Sequence, residues 1–214
     1  MKVIALNGSP RKEWNTAQIL QSALEEARAQ GAQTELVQLN ELHYSGCRSC
    51  FACKRLGSPS FGRCALGDDL KPVLERILAA DVVLFGSPIY FGQISASLRA
   101  VLERLWFASL NYDKERTVNY PRTTVCGLIF TMNVAKPEMY DHVYKELTAN
   151  MERLVGPTQA LAIADTLQFD DYDKYLSTMF DAEAKRRHHD EAFGQDKERA
   201  AQFAAALMHK AAQR

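Results

Sequence analysis

The sequence predicts an α/β fold: a doubly wound sheet of five parallel strands in the order 2-1-3-4-5, between two layers of helices. Three observations predict it. Short apolar runs alternate with longer stretches of helical period five times along the 214 residues. The innermost runs are apolar without alternation, as strands covered on both faces are. The second and fifth runs are the least apolar, which suits the two sheet edges. Right-handed crossovers leave few other topologies.

The elements follow in order. "KVIAL" (2–6) is the first strand, and "NTAQILQSALEEARAQ" (15–30) a helix with Ala17, Leu20, Leu24 and Ala27 on one face. "QTELVQLN" (33–40) reads as an edge strand. In "DDLKPVLERILAA" (68–80), Leu70, Val73, Leu74, Ile77 and Leu78 form a helical stripe, with Asp68 or Asp69 as cap and Pro72 tolerable in the first turn. "DVVLFGSP" (81–88) is the third strand, and "SASLRAVLERLWF" (95–107) a helix burying Leu98, Val101, Leu102, Leu105 and Trp106. "TTVCGLIFTM" (123–132) is a buried strand, and "EMYDHVYKELTANMERLV" (138–155) a helix with Met139, Val143, Leu147, Met151 and Leu154 inward. "QALAIAD" (159–165) is the last strand and "DKERAAQFAAALMHKAAQ" (196–213) the last helix. The chain reads as one domain, 1–214, with two long connections, 41–68 and 166–190. Loops of that length in a compact domain tend to carry function.

Charge narrows the function. The 26 Lys and Arg balance the 26 Asp and Glu, so nothing points to nucleic acid or an acidic membrane surface. No apolar run approaches membrane-span length, and the N-terminus reads as a strand rather than a signal peptide. A cytoplasmic protein is expected, where clustered cysteines suggest metal or redox chemistry before structural disulfides.

Sheets of this topology bind ligands beyond the carboxyl ends of their strands. The first strand ends in "NGSPRKEWNT" (7–16), with no dinucleotide fingerprint and no triphosphate loop. Ser9, Arg11, Asn15 and Thr16 before a helix suit a terminal phosphate, although a plain strand–helix turn capped by Asn15 or Thr16 has the same composition. The third strand ends in "GSPIYFGQIS" (86–95), where Tyr90 and Phe91 beside free backbone N–H groups suit a flat heteroaromatic ligand. The alternative is aromatics packed under a loop. "TMNV" (131–134) is a third polar turn at that edge.

The segment "GCRSCFACKRLGSPSFGRCALGDD" (46–69) holds four of the five cysteines. Cys47, Cys50 and Cys53 form C-x2-C-x2-C, the compact run that wraps three corners of a [4Fe–4S] cluster, with a fourth thiolate such as Cys64 to complete it. Arg48, Lys54, Arg55 and Arg63 would offset the charge of such a cluster. Zinc, a switching disulfide and free thiols are the competing readings. Cys126, mid-strand, reads as core. "KRRHHDE" (185–191) reads as a solvated helical start, and its His188 and His189, about 100° apart on a helix, cannot easily share a metal. Trp14 either shields a ligand or caps a helix entry, and 165–180 either covers the site or meets a second subunit.

"NGSPRKEWNTAQIL", the cysteine segment closing in "DD", and "ADVVLFGSPIYFGQISASLRAVLERL" resemble the flavodoxin-like NAD(P)H-dependent FMN reductases, nearest to the iron–sulfur flavoproteins among them. The resemblance runs over nearly the whole chain. It implies FMN with its phosphate on Ser9, Arg11, Asn15 and Thr16, and its ring against Pro88, Ile89, Tyr90, Phe91 and Gly92, with Thr131 and Asn133 completing the pocket. It implies an oxidoreductase passing electrons from NAD(P)H to a small acceptor: a flavin, a quinone or an iron compound. No side chain is expected to act as catalytic acid or base. One alternative is an iron–sulfur flavoprotein for electron transfer, with the cluster on the four loop cysteines and a ferredoxin-type donor. Another is a non-enzymatic redox sensor. The ten residues between Cys53 and Cys64 depart from the clustered relatives, which use roughly half as many. A homodimer or homotetramer is expected, with the flavin near the interface.

Overall fold

The computed structural model describes residues 1–119 and 124–214. Thr123, the start of the expected fourth strand, lies outside them. The strands are β1 (Lys2–Asn7), β2 (Gln33–Gln38), β3 (Val82–Tyr90), β4 (Gln93–Ile94), β5 (Val125–Thr131) and β6 (Thr158–Ile163). The helices are α1 (Asn15–Ala29), α2 (Leu70–Ala79), α3 (Ala96–Ser109), α4 (Asp141–Leu154) and α5 (Ala182–Ala212). The sheet order is β2-β1-β3-β5-β6, with parallel pairing throughout. This is the expected order, shifted in numbering by β4, a two-residue strand that folds back antiparallel on the end of β3.

Each inner strand feeds two cores, which is why its sequence does not alternate polar with apolar. Along β1, Ile4 and Leu6 face α2, α3 and α4, while Val3 and Ala5 face α1 and α5. In β3, Val83 and Phe85 take the first side and Val82 and Leu84 the second. Cys126 is fully buried in the first core, as expected of it. Burial pushes its thiol pKa up to about 12. The predicted stripes of α1, α2 and α3 are inward, with Leu78 and Trp106 only partly covered.

Two expectations are corrected. The last helix begins at Ala182, not 196, so the connection expected at 166–190 is shorter. Asp181 caps it, accepting the Ala184 N–H at 2.9 Å. Its first turns bury little beyond Phe193, so propensity and the cap hold them where no apolar stripe marks the sequence. Met139 is exposed because Pro137 opens a separate 3-10 turn, Pro137–Tyr140, ahead of α4. Among the described residues no helix is long and apolar enough to cross a membrane.

Candidate functional site

β1 ends at a loop that its own polar groups shape. Asn7 Oδ1 accepts the Ser9 N–H at 3.0 Å, and Ser9 Oγ accepts the Arg11 N–H at 3.2 Å. Gly8 donates to Gly86 O at 2.8 Å, and a Cβ there would stand 2.7 Å from Ser95 Oγ, so only glycine lets the two strand ends meet. The loop delivers the chain to α1 in an unusual way. Its N-cap is Trp14, extended, with no side-chain cap bond, and its first turn carries no acid. The first N–H groups of α1 thus have no side-chain cap, at the positive end of the helix dipole.

A cleft of about 120 Å³ opens over this helix start, at the carboxyl ends of β1, β3, β5 and β6. Nine of the expected residues line it: Ser9, Arg11, Asn15, Thr16, Pro88, Ile89, Tyr90, Thr131 and Asn133. Phe91 and Gly92 do not. They form the β3–β4 turn, with φ of 49° and 77°, and the Phe91 side chain is turned fully to solvent. Across the floor, Thr16 Oγ1 and Thr131 Oγ1 are 2.7 Å apart. Asn133 Oδ1 is buried without a hydrogen-bond partner, so an acceptor is left unfilled in the wall.

The sequence did not show how the cleft is closed. The segment after β6 lies across it and meets the phosphate-type loop through backbone carbonyls. Leu167 O accepts from Asn15 Nδ2 at 2.9 Å and from Trp14 Nε1 at 3.2 Å, and Gln168 O accepts from Arg11 Nη1 at 2.9 Å. Carbonyls carry no side-chain signature, so no motif could have found them. The Arg11 guanidinium also stands 4.9 Å from the Trp14 ring centre. Burial lowers its pKa from the ordinary value, and among the described residues no carboxylate forms an ion pair with it. Lys185 of α5 fastens the far wall. Its ammonium donates to Asn133 O at 2.6 Å and pairs with Asp165, itself held at a φ of 56°. His188 reaches toward the same Asp165 at 3.7 Å while the His189 ring stacks on Phe193, so the adjacent histidines have separate partners.

The four loop cysteines form a second constellation. Cys47, Cys50, Cys53 and Cys64 all line one cavity of about 70 Å³, walled by Phe51, Phe107, Ala108, Leu66 and Arg104. Left-handed backbone at Ser49 (φ 51°) and Phe51 (φ 58°) curls the C-x2-C-x2-C run round it. Non-glycine residues adopt that conformation at a cost, which functional sites are prone to carry. The long gap to Cys64 is taken up by coiling. Phe61 N–H donates to Ser58 O at 3.0 Å, and Gly62 N–H closes back on Cys53 O at 2.9 Å. Lys54 fastens the loop to the end of α3, its ammonium on the carbonyls of Phe107, Ala108 and Leu110. Burial pushes the Cys53 thiol pKa up, with Lys54 opposing and the three other cysteines reinforcing. Arg104, on α3, is 1% exposed and donates its Nε–H to Cys64 Sγ at 3.3 Å. Among the described residues no three His, Cys, Asp or Glu side chains stand together as a single-ion site. The four cysteines share the lining of one cavity, whereas a structural zinc site brings its ligands to a single point. A four-iron cluster takes its thiolates at separate corners.

Comparison with known proteins bears on both sites. The profile of the family described as NADPH-dependent FMN reductase matches residues 1–124. An iron–sulfur flavoprotein of Methanocaldococcus jannaschii is 36% identical over 104 residues, covering 49% of this chain and 51% of that protein. One from Archaeoglobus fulgidus is 33% identical over 125 residues, 58% of this chain and 59% of that one. The chain thus spans only about half the length of the curated relatives it matches. Among solved structures, an NAD(P)H:quinone oxidoreductase from Methanothermobacter marburgensis superposes with a TM-score of 0.68 at 15% identity, covering 98% of both chains. An archaeal flavodoxin does so at 0.55 and 8%, covering 99% of both. At such identities the likeness establishes the flavodoxin-like fold alone.

Proposed function

Since this chain belongs to the NADPH-dependent FMN reductase family, we propose that it is an FMN-dependent oxidoreductase that passes electrons from NAD(P)H to a small acceptor such as a flavin, a quinone or an iron compound. The observation that carries the reading is the uncapped start of α1 under Ser9 and Arg11, an anion site at the switch point of the sheet. FMN, when bound, supplies the hydride and electron chemistry. The chain's residues bind and orient it. Ser9, Arg11, Asn15 and Thr16 surround the phosphate, Pro88 to Tyr90 form the wall for the ring, and Asn133 Oδ1 offers its unfilled acceptor to a polar ring edge. Tyr90 lines the cleft beside the proposed ring site, and both it and Tyr175 are near enough to Arg11 to act on its charge. No dinucleotide fingerprint accompanies the phosphate loop, so flavin released by denaturation is expected to be FMN. Native protein is expected to oxidise NADPH or NADH in the presence of a quinone or free flavin. Release of FAD, or of no flavin after expression with riboflavin, would defeat the reading.

A second reading is favoured by the cysteine cavity: an iron–sulfur flavoprotein for electron transfer, with Cys47, Cys50, Cys53 and Cys64 holding a [4Fe–4S] cluster and a ferredoxin-type donor in place of the nicotinamide. The residues fit such a cluster in ligand type and number, beside apolar walls of Phe51, Leu66, Phe107 and Ala108, with Cys50 on the exposed side. Iron and sulfide content after anaerobic purification tests it, and stoichiometric zinc would defeat it.

The protein is further proposed to be a homodimer or homotetramer. Phe91 on the β3–β4 turn, and Leu176, Met179 and half of Tyr175 on the segment between β6 and α5, are exposed, and a second copy would cover them. Sedimentation at micromolar concentration is expected to show more than a monomer; a monomer there would sink the idea.

A further inference from the structure

Arg104 is the largest fully buried side chain among the described residues, and neither the flavin cleft nor the core explains it. It sits on α3 beside Leu102 and Leu105, where an apolar residue would pack without the cost of desolvating a guanidinium. Its partners all come from the cysteine loop. Nη1 donates to both oxygens of Asp68, at 2.8 and 2.6 Å, and to Ser45 O at 3.4 Å. Nη2 donates to Leu66 O at 3.1 Å, and Nε to Cys64 Sγ at 3.3 Å. One side chain thus ties the residues before the C-x2-C-x2-C run to those after it. The Arg104–Asp68 pair is neutral as a whole, so what it presents to the cavity is the Nε–H, aimed at sulfur.

The position of Cys64 gives that bond a purpose. Cys47, Cys50 and Cys53 are placed by their short spacing, but Cys64 is ten residues further on and depends on contacts outside its own loop. Resting on the reading of the four cysteines as cluster ligands, we propose that Arg104 is the positioning and tuning residue of the cluster, holding Cys64 at the fourth corner and donating a hydrogen bond to its sulfur. A cluster gains negative charge, much of it on sulfur, when it takes up one electron. A donor on that sulfur stabilises the reduced form and raises the reduction potential.

The test compares anaerobically purified native protein with Arg104→Gln and Arg104→Lys, each titrated with dithionite while the cluster is followed by electron paramagnetic resonance. Native protein is expected to hold about four iron per chain. Arg104→Gln should show a more negative midpoint and faster loss of iron in air, and Arg104→Lys, which keeps the charge without the fork, should fall between. Equal iron content with an unchanged midpoint in Arg104→Gln overturns the proposal and leaves the cluster reading standing. Native protein that takes up no iron overturns the cluster reading and the proposal with it. Where Arg104→Gln does not fold, judged by flavin content and circular dichroism, native protein grown on isotopically labelled arginine decides the question. Hyperfine spectroscopy of its reduced cluster should detect an arginine nitrogen, and the absence of that coupling overturns the proposal.

Discussion

Replacing Asp68 by alanine is expected to cost the fold about 3–5 kcal/mol, the usual result of leaving a buried cation without its carboxylate. The Arg104 side chain has no exposed surface and that of Asp68 only 18%, and the two are joined at 2.6 Å. The carbonyls of Ser45 and Leu66 remain after the substitution, which places the cost toward the lower end. Much of it comes from the stranded guanidinium rather than from the attraction lost. The double change Asp68→Asn with Arg104→Met should therefore destabilise less than Asp68→Ala alone. Urea denaturation of the three proteins checks this. A loss under about 1 kcal/mol for Asp68→Ala, the range of an exposed ion pair, would show that water reaches the guanidinium after all. Lys12 and Glu41, each about half exposed at 56% and 49%, supply the contrast in the same molecule.

Arg11→Ala is expected to weaken FMN binding by about 1.5–3 kcal/mol, roughly 10- to 150-fold in Kd. Arg11 is exposed at the cleft and lies beside an uncapped helix start, with the Gln168 carbonyl and the Trp14 face as its contacts. A phosphate there gains a charge-assisted hydrogen bond that the carbonyl cannot match. Lys12→Ala is the control. Its ammonium is a residue away but engaged with Glu41, and its loss should leave the affinity within a few-fold. Quenching of flavin fluorescence on titration of apoprotein measures both. Equal affinities for the native protein and Arg11→Ala would place the phosphate elsewhere.

What could be read from the chain, and what could not, divides along the range of the interactions. The strand order, the two-faced apolar strands and the stripes of α1 to α3 were legible because each is written in the spacing of neighbouring residues. The loop from Gly8 to Thr16 and the gathering of Cys47, Cys50 and Cys53 were legible for the same reason: short spacing leaves a chain few ways to turn. The helical start at 185–191 was legible, but not its continuity with the helix from 196 as one α5 beginning at Ala182, because Ala182 to Gln195 carries helical propensity without an apolar stripe. The exposure of the Phe91 side chain was not legible either, because the β3–β4 turn that sets it is a matter of backbone conformation. The sequence by itself determined the flavodoxin-like sheet, the place of the cleft and the identity of the four thiols. Only the tertiary structure decided what closes and charges those sites. Leu167 O meets Asn15 from 152 residues away, Lys185 holds Asn133 from 52, and Arg104 reaches Cys64 from 40. A carbonyl carries no side-chain identity, and a buried cation is indistinguishable in sequence from a solvated one. Such contacts become visible only once the sheet has brought distant segments together and removed the water between them.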